Sequence, residues 1–541
     1  MGLNKHSFAR GLSAAYPIEV MTICLFVQAC SFFINPQVYD FRELVILLVW
    51  IPLISIPFKS TKNRWASKIP FVLFCVDGVV TLGHYLLVKG PLTASSLFVF
   101  LNSNMNEATE FMELKFNSWW MLIIPFAWLL FRTKHKQWSF EYNKSHLLGL
   151  SIPILFASIF ITENYVNERF VRKGIPQNIE AFISFSEEME SFQRMKKRSI
   201  QKVQAESKIE TEKKQLIILV IGESCSKNHM SLYGYHRKTN PLLEKRNDIT
   251  VFTDAVSPYL TTIRAVLSLM TESNVYNKMP FDSAISLLDV FHSAGFSTHW
   301  ISNQSPIGVW DNAIFNLAQT ADQANFENKN GNSSFESTYV PSYDEVLFAP
   351  FENKIHTNNI QQKTFIGIQL LGSHSAYEKR YPSSFTIFSG DKDRKQQTID
   401  HYDNSIVYND YVVNHMIEEA RNAAARDSNL LVSLIYLSDH GENVFDSGDY
   451  AGHDWTGSIP KVIPEIPLIV WLSPSFKNRF PEKSKAVESN RNRPFSNDDS
   501  FHSVLDLANI SYSRYDSTRS LLSPYYAPPR RKLENGTFRD P

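Results

Sequence analysis

The sequence predicts a protein of two parts: an N-terminal domain of five transmembrane helices, and a C-terminal α/β domain with a mainly parallel sheet flanked by helices. A length of 541 residues exceeds one ordinary domain. Five apolar runs crowd the first third of the chain, and short runs of strand-forming residues alternate with helix-like segments from Gln215 onward. We therefore assign residues 1–163 to a membrane domain, 164–213 to a bridging helical linker and 214–541 to the α/β domain.

The five apolar runs are each near the length that a spanning helix needs, although the second and fourth are short. They cover residues 17–34, 44–58, 70–88, 119–131 and 147–161. Lys and Arg cluster before the first run, between the second and third, and between the fourth and fifth, which favours spans over buried core helices of a soluble protein. The positive-inside rule makes those three segments cytoplasmic. Everything after residue 161 then lies across the membrane, which is the periplasm in a Gram-negative bacterium.

A polar and acidic loop near residues 90–118 joins the third and fourth spans on the outer side. It reads "LTASSLFVFLNSNMNEATEFMELKF" and contains Ser103, Asn104, Asn106 and Glu107. These side chains suit a lipid head group that bears an amine. A merely solvated loop is the equally weighted alternative.

Composition narrows the range of partners. The formal net charge is zero, so the chain lacks the basic field of a nucleic-acid-binding protein. Three of the four cysteines fall inside apolar runs, which leaves only Cys225 in the polar part of the chain. A disulfide framework is therefore not expected, and any metal site would use oxygen and nitrogen ligands.

Charged side chains follow several of the predicted strands. Glu223 is the last residue but one of "QLIILVIGES", His374 follows "KTFIGIQLL", and Asp439 with His440 end "LVSLIYLSDH". Ligand sites of open α/β sheets lie beyond the carboxyl ends of the strands. One such residue alone would more often be a helix cap or a core histidine, but several at equivalent positions indicate a site. Glu223, Asp439 and His440 make a typical three-ligand zinc set, which leaves His374 and His453 for phosphate oxygens, proton transfer or a second metal.

A nucleophile is offered by "SPYLTTIRAVLSLMT", where Thr261 and Thr262 precede a helical pattern. A helix N-terminus favours an anion such as a phosphoryl group. A plain N-cap is the commoner role for such threonines. Proximity to zinc would change this balance, because a metal-bound hydroxyl loses its proton more readily.

Seven motifs together resemble the phosphoethanolamine transferases of the Gram-negative envelope: "VIGESCSKNHMSLYGYHRKTNP", "LTTIRAVLSL", "LLGSHSAYEKRYP", "YDNSIVYNDYVV", "SDHGENVFDS", "GHDW" and "YDSTRSLLSP". These enzymes are membrane-anchored members of the alkaline phosphatase and sulfatase superfamily, and they include the mobile colistin-resistance enzymes. The resemblance runs over essentially the whole chain. It implies a sulfatase-like catalytic domain in the periplasm, anchored in the inner membrane by several spans.

The resemblance also implies roles for single residues. The zinc ligands of the family match Glu223, Asp439 and His440, and its metal-bound nucleophilic threonine best matches Thr262, with Thr261 as the alternative. At least one zinc ion is implied, and a second remains open.

Two additional active-site histidines of the family match His374 and His453, and contacts to the donor head group match Ser103 and Glu107. The implied reaction moves phosphoethanolamine from phosphatidylethanolamine to lipopolysaccharide through a covalent phosphoethanolamine-threonine. The phrases "SLYGYHRKTNP" and "YDSTRSL", and the shortage of cysteines, resemble the branch that modifies the lipopolysaccharide core, for example on a heptose.

Four alternatives remain. Lipid A phosphate as acceptor would predict polymyxin resistance. Phosphoglycerol transfer uses the same superfamily fold, but acidic loop residues suit an ammonium better than a glycerol. Sulfatase activity is disfavoured, since no Cys/Ser-x-Pro-x-Arg motif lies near Thr262. An inactive envelope scaffold is disfavoured because the expected metal ligands and the threonine are all present.

Overall fold

Two compact units make up the chain in the computed structural model, and the boundary between them falls after Glu187 among the described residues. The structure describes residues 18–36, 39, 41–55, 69–93, 96–97, 118–134, 176–210, 213–304, 313–328, 342–356, 363–390, 393–453 and 459–540.

The first unit is helical, and four of its helices correspond in position to the first four apolar runs: α1 (Ile18–Ile34), α2 (Phe41–Ser55), α3 (Ile69–Val88) and α4 (Ile123–Lys134). Val27, Leu82 and Phe126 share one buried cluster. None of the helices among the described residues combines the length and the apolar character that crossing a membrane requires. Outside the described residues lie the fifth run and the head-group candidates Ser103, Asn104, Asn106 and Glu107. The five-span arrangement stays a prediction.

The segment predicted to be a helical linker is helical only in part. Helix α5 covers Gln177–Met195. The chain beyond it is held by Arg198, whose buried guanidinium pairs with Asp289 at 2.5 Å. Strand β1 (Ala205–Ser207) then pairs with the last strand of the chain. The helix therefore ends well before residue 213, although the local composition favours helix. Beyond Met195 the chain is held instead by a tertiary ion pair and a short two-stranded sheet.

All strands of the described residues, β1 included, belong to the second unit. After β1 they are β2 (Lys214–Gly222), β3 (Ile249–Val251), β4 (Ala255–Val256), β5 (Ser297–Ser302), β6 (Gln323–Phe326), β7 (Lys363–Gln369), β8 (Leu430–Ser438), β9 (Asn443–Val444), β10 (Ala451–Gly452), β11 (Glu465–Ile466), β12 (Leu468–Leu472), β13 (Phe495–Ser496) and β14 (Ile510–Tyr512).

A seven-stranded sheet in the order β3-β12-β8-β2-β7-β5-β6 forms the centre of this unit. All neighbours from β8 to β6 are parallel. Strand β2 is buried along nearly its whole length, as parallel strands with covered faces are, and this explains its unbroken apolar run. The α/β domain is therefore present, and its sheet is mixed with a parallel majority.

Strand β12, which was predicted from "IPLIVWLS", runs antiparallel to both β8 and β3. A parallel return to the same sheet needs a crossover connection, usually a helix. Between β8 and β12 the structure shows no helix in the described residues 439–453 and 459–467. The chain thus turns back from the edge at which β8 ends.

Helices flank the sheet: α6 (Thr262–Met270), α7 (Leu287–Ser293), α8 (Ala313–Ala318), α9 (Phe348–His356), α10 (Arg394–Arg426), α11 (Pro474–Arg479), α12 (Pro481–Asn490) and α13 (Ser500–Leu507). The long helix α10 buries Tyr408, Val412 and Met416 in the same core cluster as residues of β2 and β8. Because β2, β7 and β8 are parallel, the residues that follow them emerge at one edge of the sheet.

Candidate metal centre

Two adjacent strands bring three ligand side chains together. Gly222 at the end of β2 pairs with Ser438 at the end of β8. Glu223, Asp439 and His440 follow directly, and each is at most 1% exposed. Nε2 of His440 lies 3.4 Å from Oε1 of Glu223 and 3.4 Å from Oδ2 of Asp439. The three ligand atoms all lie within 4.8 Å of one another, which is close enough for one ion to contact all of them.

Helix α6 adds a hydroxyl to this cluster. Thr261 is its N-cap in extended conformation and makes no side-chain capping hydrogen bond. Thr262 is its first residue, and its Oγ1 donates to Oε1 of Glu223 at 3.2 Å and lies 3.3 Å from Nε2 of His440. Of the two candidate threonines, Thr262 is the one that contacts the cluster.

The loop that follows β7 packs closely against the backbone of Glu223. Gly372 follows β7 with φ +55°, and a Cβ there would lie 2.6 Å from the carbonyl oxygen of Glu223. The N–H of Ser373 donates to that same oxygen at 2.9 Å. A glycine is therefore needed at 372 for the loop to pack here, and the packing places His374 next to the cluster.

His374 is half-buried, and its Nδ1 lies 3.3 Å from the hydroxyl of Ser375. It lies close enough to Glu223 to be among its electrostatic neighbours, after the larger effects of burial and His440. Among the described residues, neither group of potential metal ligands includes it. His374 thus borders the cluster without belonging to it.

A second group of potential ligands consists of His440, Glu442 and His453. The rings of His440 and His453 have centroids 4.1 Å apart. Nδ1 of His453 lies 2.7 Å from Oε2 of Glu442, whose other oxygen accepts a hydrogen bond from the Tyr377 hydroxyl at 2.6 Å. Glu442 was missed from the sequence, although it stands only two residues beyond His440.

Gln304 was also missed. It follows the parallel strand β5, and its Nε2 donates to Oε2 of Glu223 at 3.3 Å and to the carbonyl of Leu370 at 3.0 Å. The strand-end rule that identified Glu223 would have found it, but a neutral amide gives no charge signal.

The three clustered ligands perturb one another strongly. Burial would raise the pKa of Glu223, but hydrogen bonding and attraction to His440 outweigh burial and hold this pKa below its ordinary value. Burial and the nearby Glu223 carboxylate raise the pKa of Asp439 well above its usual range. Burial would lower the pKa of His440, but Asp439 and Glu223 raise it to about 10. The closeness of the two carboxylates is therefore a main cause of the raised pKa values of Asp439 and His440, and a bound cation would offset the same negative charge.

The residues fit a zinc ion. Oδ1 of Asp439 accepts hydrogen bonds from the N–H groups of Ser224 and His440. Its Oδ2 is buried and has no hydrogen-bond partner among the described residues. Nε2 of His440 lies 3.4 Å from this oxygen but makes no hydrogen bond to it. A buried carboxylate oxygen without a hydrogen bond is costly, whereas a metal ion would satisfy it. Two carboxylates, one imidazole and an adjacent hydroxyl form a donor set that zinc accepts.

The fold and the site define the class of protein. Residues 215–510 match the sulfatase family. The chain belongs to the sulfatase family.

Comparison with individual proteins shows which members of the family this chain is similar to. The phosphoethanolamine transferase EptC of Escherichia coli is 26% identical over 501 residues, which cover 87% of this chain and 84% of that protein. The crystal structure of the C-terminal periplasmic domain of E. coli EptC in complex with zinc is 27% identical, with a TM-score of 0.56 over 63% of this chain and 96% of that one. The resemblance to phosphoethanolamine transferases is thereby confirmed.

A structure of the integral membrane protein lipooligosaccharide phosphoethanolamine transferase A from Neisseria meningitidis matches 94% of this chain and 98% of that one. Its TM-score is 0.63 at 18% identity, so the likeness is one of fold.

Proposed function

We propose that this chain transfers phosphoethanolamine from phosphatidylethanolamine to lipopolysaccharide, onto a core sugar such as a heptose. The observation that carries the proposal is the position of Thr262. Its hydroxyl stands at the start of a helix, within 3.3 Å of both Glu223 and His440. A hydroxyl held between a metal-ligand cluster and a helix N-terminus suits attack on a phosphodiester.

We assign Glu223, Asp439, His440 and the hydroxyl of Thr262 as the ligands of one zinc ion. Glu442 and His453 are the candidates for binding a second ion. Zinc, when bound, lowers the pKa of an adjacent hydroxyl and balances negative charge that develops on phosphoryl oxygens. The similarity to EptC, whose periplasmic domain was crystallised with zinc, supports this assignment.

In the first half-reaction, Oγ1 of Thr262 gives up its proton to solvent and attacks phosphorus. A bond from this oxygen to phosphorus forms, the bond from phosphorus to the diacylglycerol oxygen breaks, and the leaving oxygen takes up a proton. His453 suits this last step, because Glu442 fixes its Nδ1 and leaves its Nε2 to exchange the proton. His374 is the alternative proton donor, or it binds phosphoryl oxygens.

In the second half-reaction, an acceptor hydroxyl attacks the same phosphorus. The acceptor gives up its proton, the bond to Thr262 breaks, and the threonine hydroxyl is restored. Each proton given up in one half-reaction is thus matched by one taken up, so the enzyme returns to its starting state.

Because the proposed donor is a bilayer lipid, we expect the enzyme to be anchored in the membrane. We propose that residues 1–163 anchor the chain in the bacterial inner membrane through five spans, with 164–213 as linker and 214–541 in the periplasm. The distribution of Lys and Arg between the apolar runs supports this orientation. Ser103, Asn104, Asn106 and Glu107 are the candidates for contact with the ethanolamine head group.

The test is mass spectrometry of lipopolysaccharide from cells with the chain, without it, and with Thr262→Ala. We expect a phosphoethanolamine increment on core fragments that only the intact chain produces. An increment on lipid A would refute the core acceptor and predict polymyxin resistance. A phosphoglycerol adduct on Thr262 in the trapped intermediate would refute the ethanolamine donor.

A further inference from the structure

A cleft separate from the ligand cluster lies beside the edge of the central sheet. It has a volume of about 460 Å³, and its lining includes Lys227, Asn228, Tyr233, Ile249, Val251 and Arg491. We call it the edge cleft. Strand β3, which supplies two of these residues, stands at the end of the described sheet and pairs there only with β12.

The edge cleft carries positive charge and no described carboxylate in its lining. The ammonium of Lys227 is held at the cleft by the carbonyl oxygen of Thr253 at 3.0 Å. The side chain of Arg491 is exposed and makes no hydrogen bond or ion pair with the part of the chain that the structure describes. The formal net charge of the whole chain is zero, so the positive charge of Lys227 and Arg491 is a local property of this cleft. With no carboxylate in the lining to neutralise them, these two side chains favour an anionic ligand.

The other walls suit a sugar ring. Ile249 and Val251 are half-buried and offer an apolar surface. The ring of Tyr233 is fixed because its hydroxyl accepts the N–H of Leu468 at 2.9 Å and donates to the carbonyl of the same residue. Sugars present C–H faces to aromatic and aliphatic surfaces, and the side-chain carbonyl oxygen of Asn228 can accept a hydrogen bond from a sugar hydroxyl. The cleft thus combines positive side chains for phosphate groups, apolar walls for a sugar ring and an amide for a sugar hydroxyl. This combination fits a phosphorylated saccharide.

Direct contacts connect the edge cleft to the metal-ligand loop. Nδ2 of Asn228 donates to Oε2 of Glu465 at 3.0 Å. The backbone of Glu465 packs against Gly441, where an added Cβ would lie 2.7 Å from the Glu465 carbonyl oxygen. Gly441 follows His440 directly, and Lys227 lies four positions beyond Glu223. The loop after β2 therefore carries both Glu223 and one wall of the cleft, and it contacts the segment that packs against the loop of Asp439 and His440.

We propose that the edge cleft binds the phosphorylated oligosaccharide of the acceptor, with Lys227 and Arg491 contacting its phosphate groups. This inference rests on the proposed function and names the site at which its acceptor is selected. The donor lipid does not use the cleft, so the two half-reactions respond differently to its loss.

The test uses the full-length protein in detergent, as wild type, as the double variant Lys227→Gln with Arg491→Gln, and as Lys245→Gln. Lys245 is an exposed lysine outside the cleft and serves as the matched control. The first readout is binding of a phosphorylated core oligosaccharide by calorimetry, with the dephosphorylated oligosaccharide as comparison. We expect the double variant to bind the phosphorylated form at least about tenfold more weakly. The control should bind like wild type, and the dephosphorylated form should bind equally weakly to all three.

The second readout separates the half-reactions. Covalent intermediate should form from phosphatidylethanolamine at the wild-type rate in the double variant, and its discharge by subsaturating phosphorylated oligosaccharide should slow about tenfold. Equal binding and discharge in wild type and double variant would overturn the inference, as would equal losses in the Lys245 control. Absence of any intermediate in wild type would refute the proposed function instead, while the calorimetric comparison would still decide whether the cleft binds the saccharide.

Discussion

The hydroxyl of Thr262 donates a hydrogen bond to Oε1 of Glu223 at 3.2 Å, across 39 positions of sequence. This contact joins the first residue of α6 to the residue that directly follows the central strand β2. Helix start and strand end are both rigid parts of the fold, so the hydroxyl is held in a fixed position relative to the ligand cluster.

We expect Thr262→Ala to lower transfer at least about 1,000-fold, because it removes the attacking oxygen. Thr262→Ser keeps an oxygen at this position and should restore part of the activity. The matched control is Thr261→Ala, which removes no side-chain capping bond and should fold and remain active. Covalent labelling by phosphatidylethanolamine, followed by peptide mass spectrometry, would measure this. An active Thr262→Ala beside an inactive Thr261→Ala would transfer the nucleophile role to Thr261.

We expect Asp439→Asn to weaken zinc binding at least about 100-fold. The amide oxygen can still accept the N–H groups of Ser224 and His440, but the charge on the unpaired second oxygen is lost. Metal analysis of purified protein would measure the zinc content. Removing zinc by chelation should lower the melting temperature of wild type, because the metal binds only the folded state, and should barely affect the variant. Full zinc occupancy in Asp439→Asn would exclude this carboxylate as a ligand.

We expect Glu442→Gln to lower kcat about 10- to 100-fold with zinc content kept in the first cluster. Glu442 holds Nδ1 of His453 at 2.7 Å, and an amide cannot stabilise the protonated imidazole equally well. Tyr377→Phe removes one hydrogen bond to the same carboxylate and should cost only about fivefold. Steady-state kinetics with zinc analysis of the same samples would check both. Wild-type kcat in Glu442→Gln would show that His453 needs no such partner.

His229 supplies a prediction for stability against pH. Burial alone would lower its pKa, but the Asp403 and Asp446 carboxylates on either side raise it to about 9. The folded-state pKa is therefore above the unfolded value of about 6.5. The resulting stabilisation, on the order of 3 kcal/mol, is fully present below pH 6.5 and is lost as the pH rises through about 9.

The difference in unfolding free energy between wild type and His229→Gln should accordingly shrink between pH 6 and pH 9.5. Urea unfolding at both pH values would measure it. His236→Gln, at an exposed neighbouring histidine, is the control and should show no such change. A difference that stays constant over this range would mean that His229 is neutral in the folded protein.

The amino-acid sequence predicted the structure correctly where one strong pattern, such as a run of apolar residues, marked an element. Strand β2 is buried on both faces and is an unbroken apolar run, and β7 and β8 are buried and largely apolar. The residues after the ends of β2 and β8 identify Glu223, Asp439 and His440. The direction of β12 was not predictable, because composition is the same for a strand run either way. Strands of two residues, such as β9 and β10, are too short to show any period.

The choice between Thr261 and Thr262 depends on one residue of helix phase, which sequence patterns do not resolve. Neighbouring helical positions point about 100° apart, so only the folded helix decides which hydroxyl meets Glu223. Glu442 was missed because its role depends on contacts with His453 and with the distant Tyr377 that no local pattern encodes. Gln304 follows the end of β5, where the rule that identified Glu223 applies, but a neutral amide gives no charge signal.

Strand β2 is joined to β8 through nine residue pairs, from Lys214 with Leu430 to Gly222 with Ser438. Both faces of β2 are apolar, so a slip of one position would still bury oily side chains and would meet little resistance from hydrophobicity alone. Such a slip would, however, turn Glu223 away from Asp439 and His440. Under the proposed zinc assignment, only molecules whose two central strands are correctly aligned would retain the ion, so metal binding would select the correct strand register during folding.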